Sequence, residues 1–164
     1  KLLADIYPEL AATAGLARYD PCWTIMLGLE GDHGLGTLPL RDEAAGIALG
    51  VPEFTRSNQQ SSLDAPALTI QATGAWSQQH LQDDPQMVIK SLCQIWQNLS
   101  GKPLGKIITS AAHRWLYAKV TTAAPSAAPR LSHDGKLAIA GDWLGGPRVE
   151  QAFDSGLQAY HQLR

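Results

Sequence analysis

The sequence predicts an α+β fold: one mixed, mostly antiparallel sheet with helices packed on it. Three observations predict it. Short apolar runs at 22–29, 46–51 and 67–72 have strand length. The segment after Asp84 carries the clearest helical stripe in the chain. The order of elements is helix, strands, helix, strands, helix, without the strict β–α alternation of a doubly wound sheet.

The elements follow in order. Residues 2–16 read as a short helix, with Leu3, Ile6, Leu10 and Ala14 near helical spacing and Pro8 weakening its first half. Cys22 to Leu29 is almost continuously apolar, which predicts a strand buried on both faces. Gly31 to Gly34 is a turn, 46–51 a strand, 57–62 a polar loop and 67–72 a strand. Asp84 caps the main helix and Pro85 takes its first position; Val88, Leu92, Trp96 and Leu99 form its stripe, and Gly101 stops it. Residues 106–109 and 113–120 read as strands, or as one strand with a bend. An Ala/Pro/Ser-rich crossing covers 121–129, and His133-Asp134-Gly135 is a hairpin turn into a strand at 137–140. The last helix presents Val149, Ala152, Phe153, Leu157, Tyr160 and Leu163 as its apolar side.

Composition bounds the function. The chain has 164 residues, 45% hydrophobic and 17% charged, enough for one domain with a sizeable core and too apolar for disorder. So few charges also suggest that some surface faces a partner, a missing segment or a cofactor. A net charge of -2 with scattered Lys and Arg points to neither nucleic acid nor an anionic membrane. No apolar run is long enough for a membrane span. Cys22 and Cys93, on unlike elements, are expected to be buried thiols, which favours the cytoplasm. The histidines lack metal-ligand spacing, so no metal is expected. No nucleophile elbow or phosphate loop appears, and no catalytic side chain is assigned.

Two places carry candidate chemistry. Gly31, Gly34 and Gly36 follow a strand, but their spacing and Pro39 exclude a dinucleotide fingerprint. The stretch from Gly141-Asp142 through Gly145-Gly146-Pro147 to a helix is the first place. Glycines allow close backbone approach, Pro147 suits a helix start, and the free N–H groups favour an anion or a carbonyl oxygen. The plain alternative is a crossover whose glycines only make turns. The second place is His113-Arg114-Trp115: on a strand His113 and Trp115 share a face and Arg114 takes the other. That face suits either an aromatic substrate wall or an ordinary core, as do Trp23 and Trp143.

The C-terminal stretch resembles the last motif of flavin-dependent amine oxidases, where a Gly-Asp strand end precedes a Glu-Gly-Ala-x-x-Ser-Gly helix. Here the helix reads Glu150-Gln-Ala-Phe-Asp-Ser-Gly156, with Gln151 in place of that glycine. Pro21-Cys-Trp-Thr-Ile-Met-Leu27, Ala75-Trp-Ser-Gln-Gln-His-Leu81, Asp83-Asp-Pro85 and Ala112-His-Arg-Trp-Leu-Tyr-Ala118 are similar to the bacterial renalase-like group of FAD/NAD(P)-dependent oxidoreductases. The resemblance implies that residues 1–128 are substrate domain and that 129–164 return to a discontinuous FAD-binding domain. It implies hydride transfer from a small amine or nicotinamide-like substrate to FAD. Gly141 and Asp142 would meet the ribityl–pyrophosphate part of FAD, Arg148 and Val149 the ring's O2 side. His113, Trp115 and Trp23 would line the substrate pocket.

The glycine-rich unit for the ADP half of FAD is not in this sequence. The chain alone is therefore expected to be inactive and nearly flavin-free, with a missing N-terminal nucleotide-binding half as partner. Its last helix would then fold back on the sheet, self-associate or be poorly ordered. A standalone or split-subunit α+β binding module without catalysis is the alternative.

Overall fold

The computed structural model describes residues 2–30, 38–52 and 66–164; the expected turn at Gly31–Gly34 and the loop at 57–62 lie outside the described residues. The fold is α+β, as expected: the described residues form five strands in one antiparallel sheet and four α-helices. The helices are α1 (Pro8–Leu16), α2 (Gly74–Gln79), α3 (Pro85–Ser100) and α4 (Val149–Gln162). The strands are β1 (Arg18–Leu29), β2 (Leu40–Asp42), β3 (Ile47–Pro52), β4 (Ala67–Ala72) and β5 (Ile107–Thr122), in the order β2-β3-β4-β1-β5. β1 meets β4 with Ile25 opposite Ile70, and β4 meets β3 with Ile70 opposite Gly50. The chain divides into two compact units, Pro21–Leu116 and Lys1–Asp20 with Tyr117–Arg164.

The core of the first unit lies between the sheet and α3. Trp23, Ile25, Leu27 and Leu29 of β1 and Leu68, Ile70 and Ala72 of β4 meet Val88, Ile89, Leu92, Cys93 and Trp96 of α3. Trp96, 1% exposed, lies over Gly50, where a β-carbon would come within 2.1 Å of its ring. The expectation that β1 is buried on both faces is corrected. Its core residues alternate, and Met26, on the opposite face, is 44% exposed. The run that looks continuous alternates Trp23, Ile25, Leu27 and Leu29, which face the core, with Cys22, Thr24, Met26 and Gly28 on the other face, of which only Met26 is large and apolar. Such alternation suits an antiparallel sheet with helices on one face.

Around Trp23, the segment from Ser77 to Leu81 is fastened to the sheet. The Trp23 N–H donates to Ser77 Oγ (2.9 Å) and its indole N–H to the His80 carbonyl (2.9 Å). Arg114 donates to the Leu81 carbonyl and lies 5.7 Å from the Trp23 ring.

Helix α3 begins and ends as its sequence predicts. Asp84 Oδ1 accepts from the Gln86 N–H (2.8 Å), Pro85 opens the helix, and Gly101 closes it at φ 66°. Asp84→Ala is expected to lower unfolding free energy by about 1 kcal/mol in chemical denaturation, the usual worth of such a cap. Helix α2 is not foreseen in the sequence: six residues hold little periodicity, and Thr73 Oγ1 accepting from the Trp76 N–H starts it.

In the second unit Leu10, Val120, Ala124 and Leu144 are buried, with Thr13, Ser132 and Ser155. Helix α1 starts only at Pro8, so the helix expected over 2–16 is interrupted: residues 3–7 make a separate turn, with the Tyr7 N–H donating to the Leu3 carbonyl (2.7 Å). A proline disfavours helical backbone in the residue before it. The strand expected at 137–140 is also corrected: it is a single bridge, Leu131 with Ala138. Hydrogen bonds from Ser132 N–H to the Leu137 carbonyl (2.7 Å) and from Ile139 N–H to the Arg130 carbonyl (2.9 Å) close a short hairpin. With one partner and one bridge, no ladder propagates. The turn at Gly135 has φ 70°, as the hairpin signal requires.

Asp134 organises that turn. It accepts from Ser132 Oγ–H (2.7 Å), the Lys136 N–H (3.2 Å) and the Tyr7 hydroxyl (3.2 Å). The Ser132 hydrogen bond leads the effects that hold its carboxyl below the usual carboxylate value. A carboxyl lowered by folding stabilises above its unfolded value, and that stability is lost as pH falls through the folded one. Acid unfolding should therefore show Asp134→Asn less stable than the parent at neutral pH, with the difference vanishing at the acid end.

Candidate functional site

The Gly141–Ser155 element lies in the second unit. A turn of 3₁₀ helix, Asp142–Leu144, follows Gly141. The Asp142 carbonyl accepts from Gly145 N–H (3.1 Å) and Gly146 N–H (2.7 Å), closing the loop onto itself. Gly141 has φ 156° and carries the Trp143 indole where a β-carbon would stand, 2.3 Å from its Nε1. No other residue type fits that backbone and that contact.

Ser155 locks the loop to α4, and the sequence reading did not single out that role. Its buried Oγ accepts from the Gly141 N–H (2.8 Å), and its proton lies between the carbonyls of Gly141 (3.0 Å) and Ala152 (2.9 Å). The signal was the Ser-Gly pair in the helix, a small hydroxyl facing the glycine strand end. Arg130 adds a second tie, donating to the Leu144 carbonyl (2.9 Å) and to Gln158 Oε1 (3.0 Å).

What remains open at this element is a set of hydrogen-bonding groups. Arg148 caps α4 without a side-chain bond, and its N–H donates to the Gly146 carbonyl (2.8 Å). The N–H groups of Val149, Glu150 and Gln151 have no acceptor among the described residues. The half-buried Asp142 carboxylate likewise has no hydrogen-bond partner among them. Its charge adds to burial in raising the Tyr19 hydroxyl's pKa, burial being the larger cause. Uncapped donors at a helix start and an unpartnered acceptor fit a ligand that carries both anionic or carbonyl oxygens and hydroxyls. Gly141, Asp142, Arg148 and Val149 all lie in this one loop and helix start.

The second place, in the first unit, divides the residues expected to share it. His113 and Trp115 stand on one face of β5 with ring centroids 4.3 Å apart, and Trp115 is 53% exposed. Arg114 points the other way, onto Trp23. Trp23 is 3% exposed within the core. It does not share the open face with His113 and Trp115. A further pair, His80 and Asp83, escaped the sequence reading. His80 Nδ1 lies 2.7 Å from Asp83 Oδ2, and its ring stacks on Trp76 at 3.9 Å.

The two cysteines are free thiols, Cys93 buried and Cys22 half-buried. Burial pushes Cys93 up to about 11 and raises Cys22 as well, so neither has the character of a reactive thiolate. Among the described residues no group of three or more His, Cys, Asp or Glu could hold a metal ion, and no helix is long and apolar enough to cross a membrane.

No family model matches the chain. Among solved structures it is similar to the "Putative protoporphyrinogen oxidase from Exiguobacterium sp. 255-15", with a TM-score of 0.73 at 13% identity. The match covers 99% of this chain and 39% of that one. At such identity the likeness is one of fold: this chain is folded like a part, less than half, of that larger protein.

Proposed function

We propose that this chain is part of an FAD-dependent oxidoreductase of the amine oxidase/renalase-like type. The observation that carries the reading is the likeness of almost the whole chain to part of a protein named as an oxidase. The open donors and acceptor at Asp142 and the α4 start, together with the sequence resemblance, support it. When bound, FAD supplies a hydride acceptor. This chain's residues do the holding: Asp142 accepts hydrogen bonds from hydroxyls, and the Val149 and Glu150 N–H groups donate to carbonyl or anionic oxygen. His113 and Trp115 offer an aromatic surface for a small amine or nicotinamide-like substrate. Residues 1–128 are the substrate-domain part in this reading and 129–164 the flavin-domain part. The partner is the nucleotide-binding half, without which the chain is inactive.

The test is an absorption spectrum of the chain purified together with the polypeptide that carries that half. Flavin bands are expected, and Asp142→Ala should weaken flavin retention. A colourless protein that takes up no FAD on titration removes the reading and leaves a binding module without catalysis.

A further inference from the structure

The loop of Gly145 and Gly146 leaves backbone bare beside the first turn of α4, and one side chain fills that room. A β-carbon at Gly145 would stand 2.3 Å from Gln151 Oε1, and one at Gly146 would stand 3.9 Å from Gln151 Cγ. Gln151 occupies the third helical position, from which a glutamine commonly folds back to bond the N–H of the capping residue. Here that N–H, of Arg148, is already given to the Gly146 carbonyl (2.8 Å). The Gln151 carboxamide makes no hydrogen bond with any described residue, though the side chain is half-buried. Packing alone holds it over the glycines, on three rotatable bonds.

We infer that Gln151 is a displaceable plug in the glycine loop, filling the room beside Gly145 and Gly146 that the edge of a flat ligand needs. It lowers the protein's affinity for that ligand and swings aside when the ligand enters. The inference rests on the flavin reading above and adds the residue that limits binding. A fixed obstruction would be a different matter: a methyl group on Gly145 could not rotate away.

Equilibrium titration with FAD, read by quenching of flavin fluorescence, tests it on the protein joined by its nucleotide-binding partner. Gln151→Gly and Gln151→Ala should each bind FAD severalfold more tightly than the parent. The alanine variant keeps the helix start favourable, so a loss seen only with glycine would reflect the helix and not the plug. Gly145→Ala should bind more weakly, and adding Gln151→Gly to it should not restore the parent's affinity. Equal or weaker binding by Gln151→Ala, in a parent that does bind FAD, overturns the plug and leaves the flavin reading standing. No binding by the parent or any variant overturns both.

Discussion

Trp96→Ala is expected to lower the unfolding free energy by about 3–5 kcal/mol, the usual cost of removing a buried large aromatic. Trp96 reaches the sheet at the one inward position of β3 that has no side chain, and its ring lies over Gly50. Truncation leaves a cavity that neighbouring Ile70 and Leu92 cannot fill without leaving their own contacts, since both are fully buried. The reciprocal change, Gly50→Val, should be destabilising by about 1–3 kcal/mol through overpacking. Urea unfolding of the two single variants and of the pair checks this. The double variant should be more stable than the sum of the losses predicts, because valine would occupy part of the space the indole leaves. Strict additivity would mean that the ring and the glycine do not share that space.

Ser155→Ala comes next in size, at about 1–3 kcal/mol, because it strips a buried polar bridge and leaves the Gly141 N–H without an acceptor. The effect should have two readouts. Unfolding midpoints fall, and under the proposed flavin reading flavin retention by the protein joined to its nucleotide-binding half falls with them, since Ser155 ties the Gly141–Asp142 turn to α4. Ser155→Thr, which keeps the hydroxyl, should retain more of both. An alanine variant as stable as the parent would show that the bridge contributes nothing to the loop.

The fold was legible where periodicity and end signals coincided. Asp84, Pro85 and Gly101 bracket α3 in the sequence and in the structure alike, because capping is local chemistry. The Ala67–Ala72 strand has the same limits in both. Sequence reasoning failed where tertiary context decides. Whether Cys22, Thr24 and Met26 face a second layer depends on where the helices pack, which a local pattern does not encode. The 137–140 strand needed a neighbour that the described residues do not provide. At the candidate site, the spacing of His113, Arg114 and Trp115 set their two faces correctly. The position of Trp23 on the other side of the sheet depended on strand order, which is not local.

Helix α4 differs from α3 in the exposure of its apolar side. Its apolar residues are exposed in the structure, Val149 by 84% and Phe153 by 70%. Exposed apolar patches of this kind are characteristic of interaction surfaces.

The fastening of Ser77–Leu81 to the sheet has an evolutionary consequence. Trp23 and Arg114 grip the carbonyls of His80 and Leu81, and a carbonyl is the same whatever side chain the residue bears. Position 81 can therefore drift through most residue types without loosening the attachment, whereas His80 also uses its side chain, on Asp83 and Trp76. The constraint falls on the gripping side chains, Trp23, Ser77 and Arg114. A junction built in this way lets sequences diverge widely while their backbones continue to superpose.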